Sequence, residues 1–269
     1  MTQQKNVKME KIKVFLSDPQ VLFREGIHFI LSGEDDFEVT GETTCNEDAF
    51  TLIEANPPNI AILSINDAKA AGCDITRRIR RNLPSVFVTL TMEKKEPGII
   101  FTAIKSGASA CLTKDTDPEH LLDIIRVVAQ GSIPVMEELL TPGIASMVIA
   151  EFEDIAVLNQ QFGNLLANLS SKEQQILAAI TAGCNIEQIV VKLDMNEEVI
   201  RRNIRLILNK LVSNDHVRAI IEATRRSLPP IIRSGNKEGI SGDFVSRIEF
   251  NEFKDHLMER LKPFIGELA

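Results

Sequence analysis

Five short apolar runs, each followed by a stretch with helical spacing, fill residues 12–130 and constrain the fold more than any other feature of the chain. The runs cover 12–16, 37–40, 60–63, 86–90 and 110–113, and are rich in Val, Ile, Leu and Thr. The amphipathic stretches cover 21–31, 48–55, 75–81, 98–105 and 118–129; in the last, Leu121, Ile124, Ile125 and Val128 share one face. A helical crossover returns the chain to the sheet as a parallel neighbour, so five such units predict a doubly wound parallel (βα)5 sheet with helices on both faces. Ligands of such sheets sit in the crevice beyond the carboxyl ends of the strands. The residues at those ends are Ser17, Asp18, Pro19, Ser64, Thr91 and Lys114.

Four separated blocks carry a family resemblance: "KVFLSDPQVLFREGI", "AILSINDAKAAGCDITRRIR", "VTLTM" and "SGASACLTKD". In this order they resemble the receiver domain of bacterial response regulators of the NarL/FixJ class, across residues 12–130. The resemblance implies an acidic pair after the first strand that helps to hold Mg²⁺, and a phosphoryl-accepting Asp after the third. It also implies a Ser or Thr after the fourth strand and a Lys after the fifth, which read the phosphate. Here Asp18 keeps one acid of the pair and Pro19 replaces the other, while Ser64 stands at the acceptor position. Thr91 and Lys114 match the pattern. Cys111 stands where an aromatic switch residue is expected, and Ala68 where a turn proline is expected.

These departures have chemical consequences. A carboxylate attacks phosphorus directly, whereas a neutral serine hydroxyl needs a base, and none is evident near Ser64. Mg²⁺ is held by about one or two carboxylates with phosphate oxygens and waters, so Asp18 alone is a poor metal ligand. No metal or cofactor is expected. Lys114 has two readings: an ion pair with Asp18 across an otherwise uncharged pocket, or, with Thr91, a site for an anion or small ligand. The pocket reads as a degenerate phosphorylation site made of Asp18, Pro19, Ser64, Thr91, Cys111 and Lys114.

From Leu169 the chain changes to helical periodicity with short turns. Ser170 or Ser171 with Glu173 makes a capping-box start, Gly183 breaks the pattern, and a third helix is entered at Asn196. This grammar is that of a helix-turn-helix, and residues 167–226 resemble the LuxR-type DNA-binding domain that accompanies NarL/FixJ receivers. Leu169, Ser170 and Glu173 match its opening, and Gly183 through Ile189 and Val190 its turn. In the third helix Ile200, Ile204, Ile207, Leu208 and Leu211 form an apolar stripe, with Arg201, Arg202, Arg205 and Asn209 off it. The resemblance puts Val199, Arg201, Asn203 and Lys210 where the family contacts DNA; Arg202 and Arg205 join them by position. Leu206, where a polar residue is common, is a departure. Residues 169–226 hold nine lysines and arginines against seven acids, in a chain of net charge −8. Glu197 and Glu198 at the helix start repel phosphate, which favours a dimer that doubles the contacts.

The remaining segments frame the reading. Residues 1–11 form a polar N-terminal extension. Residues 131–166 read as a helical linker, with Ile144, Val148, Phe152, Ile155, Phe162 and Leu166 near helical spacing and an apolar face suited to dimer packing. Residues 227–269 open on a Pro- and Gly-punctuated break and end in an amphipathic helix with Phe253, Leu257 and Leu261 on one face, for docking on its own domain or on a partner. No apolar run approaches the ~18 residues of a membrane span, and the scattered Cys45, Cys73, Cys111 and Cys184 suit reduced structural cysteines of a cytoplasmic protein. No nucleophile–base pair or phosphate-cradling glycine loop marks an enzyme. The expected function is a DNA-binding transcriptional regulator, acting on double-stranded DNA as a homodimer and controlled without aspartyl phosphorylation. Control then falls to a protein partner, a small ligand at the receiver or protein concentration. The alternative is an interaction adaptor that uses the receiver as a docking surface.

Overall fold

The computed structural model describes residues 11–65, 71–162 and 166–227. Five parallel strands, β1 (Ile12–Ser17), β2 (Phe37–Thr43), β3 (Ile60–Ile65), β4 (Phe87–Met92) and β5 (Ala110–Thr113), lie in the order β2-β1-β3-β4-β5. The connecting helices are α1 (Val21–Ser32), α2 (Asn46–Ala55), α3 (Ala71–Asn82), α4 (Pro97–Ser106) and α5 (Pro118–Ala129). This order places the topological switch between β1 and β3, and a crevice opens there at the strand ends. All six residues of β3 are buried, as befits a central strand covered on both faces. On one face Val14, Leu16, Ile60, Ile62 and Leu112 meet Ile27 and Leu31 of α1 and Leu121, Ile125 and Val128 of α5.

Most elements start and stop within a few residues of the sequence reading. Strands β1 to β4, however, run further toward the crevice. β3 extends to Ile65, with Ser64 paired to Thr91 and Ile65 to Met92. Ser64 therefore lies within the strand, one residue beyond the run read from the sequence, and is fully buried. A small hydroxyl leaves the backbone ladder intact, and Ile65 gives the strand one more apolar residue to bury. Gly72 of α3 explains how the helix comes so close, since a Cβ there would stand 2.5 Å from the Ser64 carbonyl oxygen.

Beyond the sheet come a 3₁₀ helix, Pro134–Leu140, and the helices α6 (Pro142–Phe162), α7 (Ser171–Thr181), α8 (Ile186–Leu193) and α9 (Glu197–Ser227). The described residues divide into two compact units, those within 11–151 with 169–212, and those within 152–168 with 213–227. In the first unit the 3₁₀ helix is anchored by Val135, whose N–H donates to the Ser109 carbonyl at 3.0 Å, and by the buried side chains of Val135 and Leu139. Lys105 of α4 reaches Glu151 of α6 at 3.0 Å.

The three helices α7 to α9 are each started by a polar cap. Ser170 and Glu173 form a reciprocal capping box, as do Asn185 and Gln188, and Asn196 Oδ1 accepts from the Val199 N–H at 2.8 Å. Gly183 takes φ +83° at the first turn, and Asp194 takes φ 51° at the second. The predicted stripe of α9 is in place, with Ile200, Ile204, Ile207, Leu208 and Leu211 all buried. In the second unit, Asn159 and Asn214 hold an extended backbone segment: Asn159 pairs with the N–H and C=O of Leu166, and Asn214 with those of Ala167, all at 2.8–2.9 Å.

One expectation for the linker is corrected. Ile144, Val148, Phe152 and Ile155 of α6 are buried within the chain itself, so the stripe is not left open for a second copy. A helix that carries this much apolar surface gains most by packing against its own chain. The expected turn at Ala68, the N-terminal residues 1–10 and the amphipathic stretch with Phe253, Leu257 and Leu261 lie outside the described residues.

Candidate functional site

The crevice is built around one buried ion pair. Asp18 sits just past β1 and Lys114 just past β5, and the Lys114 ammonium stands 2.8 Å from Asp18 Oδ2 and 3.1 Å from Oδ1. Both side chains are almost wholly buried, 5% and 7% exposed. The other Asp18 contacts fix its carboxylate in place: Oδ1 accepts from the Gln20 N–H at 2.7 Å, and the Asp18 carbonyl accepts from Arg24 at 3.0 Å. Arg24 is itself braced by Glu42 at 3.3 Å. Lys114 also faces Glu93 at 3.7 Å and lies 5.0 Å above the Phe23 ring, an arrangement that favours a cation. Gln20 donates to Glu93 at 2.8 Å, closing the mouth of the crevice.

Of the residues expected here, Asp18, Ser64, Thr91 and Lys114 are brought to the strand ends, and Cys111 lies on β5. Thr91 points its hydroxyl at the Leu63 carbonyl, 3.4 Å away, and Pro19 is exposed at the surface. Cys111 is buried, and burial, with the nearby Glu138 carboxylate adding to it, pushes its thiol up out of the range where a thiolate forms. Gln20, Phe23, Arg24 and Glu93 were not singled out from the sequence. Glu93 was the most accessible of them, an acid two residues beyond Thr91 at the end of β4.

These residues do not suit the Mg²⁺ that the receiver resemblance implies. Two carboxylates, Asp18 and Glu93, flank the crevice, but an ammonium already lies between them, 2.8 Å from Asp18 Oδ2, and Oδ1 accepts from Lys114 and the Gln20 N–H. A dication there would have to displace a buried, neutralising lysine.

The second group of expected residues lies on α9. Arg201, Arg202 and Arg205 are exposed. Arg201 is held by Glu197, one turn back, and by Glu137 of the 3₁₀ helix, each at 2.7 Å. The hydrogen bonds that Arg201 donates to these two carboxylates raise its proton affinity further. Val199 is half-buried. Asn203, expected on the DNA side, is buried and donates to the Val199 carbonyl at 2.7 Å. Lys210 is turned onto the buried Glu173 of the α7 capping box at 2.7 Å. The exposed face thus presents three arginines, with Leu206 beside them at 42% exposure.

Comparison with known proteins adds a family signal to this geometry. A family model for the response regulator receiver domain matches residues 14–126. The transcriptional regulatory protein DegU of Brevibacillus brevis is 27% identical over 230 residues, spanning 81% of this chain and 95% of its own length. The nitrate/nitrite response regulator protein NarL of Escherichia coli strain K12 is 27% identical over 213 residues, spanning 79% and 94%. Among solved structures, a DNA-binding response regulator of the LuxR family from Staphylococcus aureus matches 44% of this chain and 98% of its own at 25% identity, with a TM-score of 0.42. No described helix is long and apolar enough to cross a membrane.

Proposed function

Because the chain belongs to the response regulators of the NarL/FixJ class, we propose that it regulates transcription by binding double-stranded DNA through α9, and that its receiver works without aspartyl phosphorylation. The observation that carries the second half is the Lys114–Asp18 pair, closed at 2.8 Å beside a serine at the acceptor position. A receiver that charges itself would gather several carboxylates, whose mutual repulsion a bound metal cation would offset. In this crevice the buried Asp18 carboxylate is already neutralised by Lys114, and the lysine is already engaged. With Thr91 also occupied by a backbone carbonyl, control through a partner or through protein concentration is better supported than control by a small ligand.

The DNA-facing set is proposed as Arg201, Arg202 and Arg205, flanked by Val199. Asn203 and Lys210 support the helix from within. The functional segments are proposed as a receiver over 12–130, a connector over 131–166 and a reader over 167–226, acting in the cytoplasm as a homodimer. Arg201 must exchange Glu137 for phosphate or base when it meets DNA.

Two measurements test this reading. Incubation with acetyl phosphate and Mg²⁺ leaves the intact mass unchanged; an adduct of phosphate size overturns the phosphorylation-independent half. A gel shift on the gene's own promoter shows a complex that Arg201→Ala with Arg205→Ala abolishes. A second reading, a protein-interaction adaptor with little or no DNA affinity, draws support from the exposed Leu206 and from Glu197 and Glu198 at the start of α9. It prevails if no DNA is retained at low salt.

A further inference from the structure

Leu206 stands near the centre of the exposed face of α9. Among the described residues it is the one large apolar side chain of that helix that is exposed, at 42%. On a helix turning about 100° per residue, Arg202 points directly away from the middle of the buried stripe formed by Ile200, Ile204, Ile207, Leu208 and Leu211. Leu206 follows Arg202 one turn on, about 40° round. Val199, half-buried, falls two turns before Leu206 and within about 20° of its line. Arg205 and Arg201 lie on the other side of Arg202, about 60° and 100° away, and Arg201 is tied to Glu137 and Glu197. The middle of the face is therefore one arginine and one leucine, with arginines along one edge and a valine along the other.

A single exposed leucine is common on protein surfaces, and its place among these arginines is what gives it a use. Arg201, Arg202 and Arg205 draw the face toward a polyanion. A leucine carried into the major groove with them can neither donate nor accept a hydrogen bond. Over the edge of guanine, adenine or cytosine it would cover polar groups and leave them unpaired, which is costly. Of the four bases only thymine presents an apolar group in that groove, its C5 methyl. The leucine thus favours one base by contact and disfavours the others by desolvation.

We propose that Leu206 is a specificity-determining residue that reads a thymine methyl in the major groove, beside the base pair that Arg202 approaches. This rests on the reading that α9 binds double-stranded DNA. Val199 extends the apolar line toward the start of the helix, so the thymine lies on the Val199 side of the arginines. A protein surface docked on the same face would also bury Leu206, but it would have no dependence on a base methyl.

The test removes the methyl from the DNA and the leucine from the protein in one cycle. The gene's own promoter fragment is prepared with thymine and with uracil in its place, which deletes the C5 methyl and keeps every hydrogen-bonding group. Gel-shift titration of the full-length chain then shows the uracil fragment bound at least about fourfold more weakly, the loss expected for one buried methyl. Leu206→Ser weakens binding to the thymine fragment by a similar factor and loses most of the preference between the two. Leu206→Met, which keeps the apolar reach, retains the preference, as does Leu52→Ser at an exposed leucine of α2. An unchanged melting temperature confirms that each variant is folded. Single replacements of thymine by uracil then locate the base, and cytosine at that position regains affinity when it is 5-methylated. Equal binding of the unsubstituted chain to both fragments, or a thymine preference that Leu206→Ser keeps in full, overturns the proposal and leaves the DNA-binding reading standing. Loss of all binding in a folded Leu206→Ser variant also overturns it, since one methyl contact cannot account for that. If neither fragment is retained at low salt, the DNA-binding reading falls and the proposal falls with it.

Discussion

Asp18 and Lys114 hold each other out of water, and that makes each costly to remove alone. Breaking a buried pair by deleting one member leaves an uncompensated charge, at about 3–5 kcal/mol, while removing both together is often close to neutral. Asp18→Asn and Lys114→Met should therefore each lower the denaturant midpoint strongly, and the double variant should recover most of the loss. Additive losses would show that the pair is solvated and that the crevice is open. Glu93 tempers the Asp18→Asn effect, since it offers the lysine a second carboxylate at 3.7 Å. The pair itself was legible in the sequence, because strand ends in a parallel sheet converge and only Asp18 and Lys114 were left there with opposite charge. The brace around it was not. Gln20, Phe23 and Arg24 lie on a loop and the first turn of α1, where hydrophobic pattern says nothing about which side chain turns back toward the crevice.

Among the elements, α9 shows most clearly how far pattern reading reaches. Its buried stripe follows from residue spacing alone, and the exposed arginines follow from the stripe. Asn203 and Lys210 escaped the same logic because a short amide can bond its own helix backbone, and a long lysine can reach a buried glutamate on another helix. The contact between Arg201 and Glu137 was equally hidden, since it joins residues 64 positions apart. Its strength can be bounded. The two side chains are 44% and 61% exposed, and ion pairs of that kind contribute about 0.2–1 kcal/mol. Glu137→Gln should thus tighten promoter binding by no more than about fivefold, with no effect in an Arg201→Ala background. A much larger gain would mean that the 3₁₀ helix, and not one ion pair, screens α9 from DNA. The turn before α9 offers a stability test. Asp194 occupies a left-handed conformation that glycine adopts without strain, so Asp194→Gly should raise the melting temperature slightly, by about 0.5–1 kcal/mol of stability, whereas Asp194→Val should lower it.

For the whole molecule, the proposed function asks an acidic chain to approach a polyanion, and the charge balance bears on whether one copy or two read the site. With a net charge of −8, long-range attraction to DNA is absent, so affinity depends on local contacts made at short range. One copy offers Arg201, Arg202 and Arg205. Neutralising three phosphates gives a salt slope of about −3 in log K against log salt, and two copies about −5. A slope near −3 on the gene's own promoter would mean that a single copy reads its site, contrary to the proposed dimer. A slope near −5 supports two copies, and Arg205→Ala should then reduce it by about 2, one phosphate in each half-site. The same titration separates the adaptor reading from a weak regulator: a weak regulator gains affinity steeply as salt falls, whereas a surface that no longer meets DNA shows no slope to extrapolate.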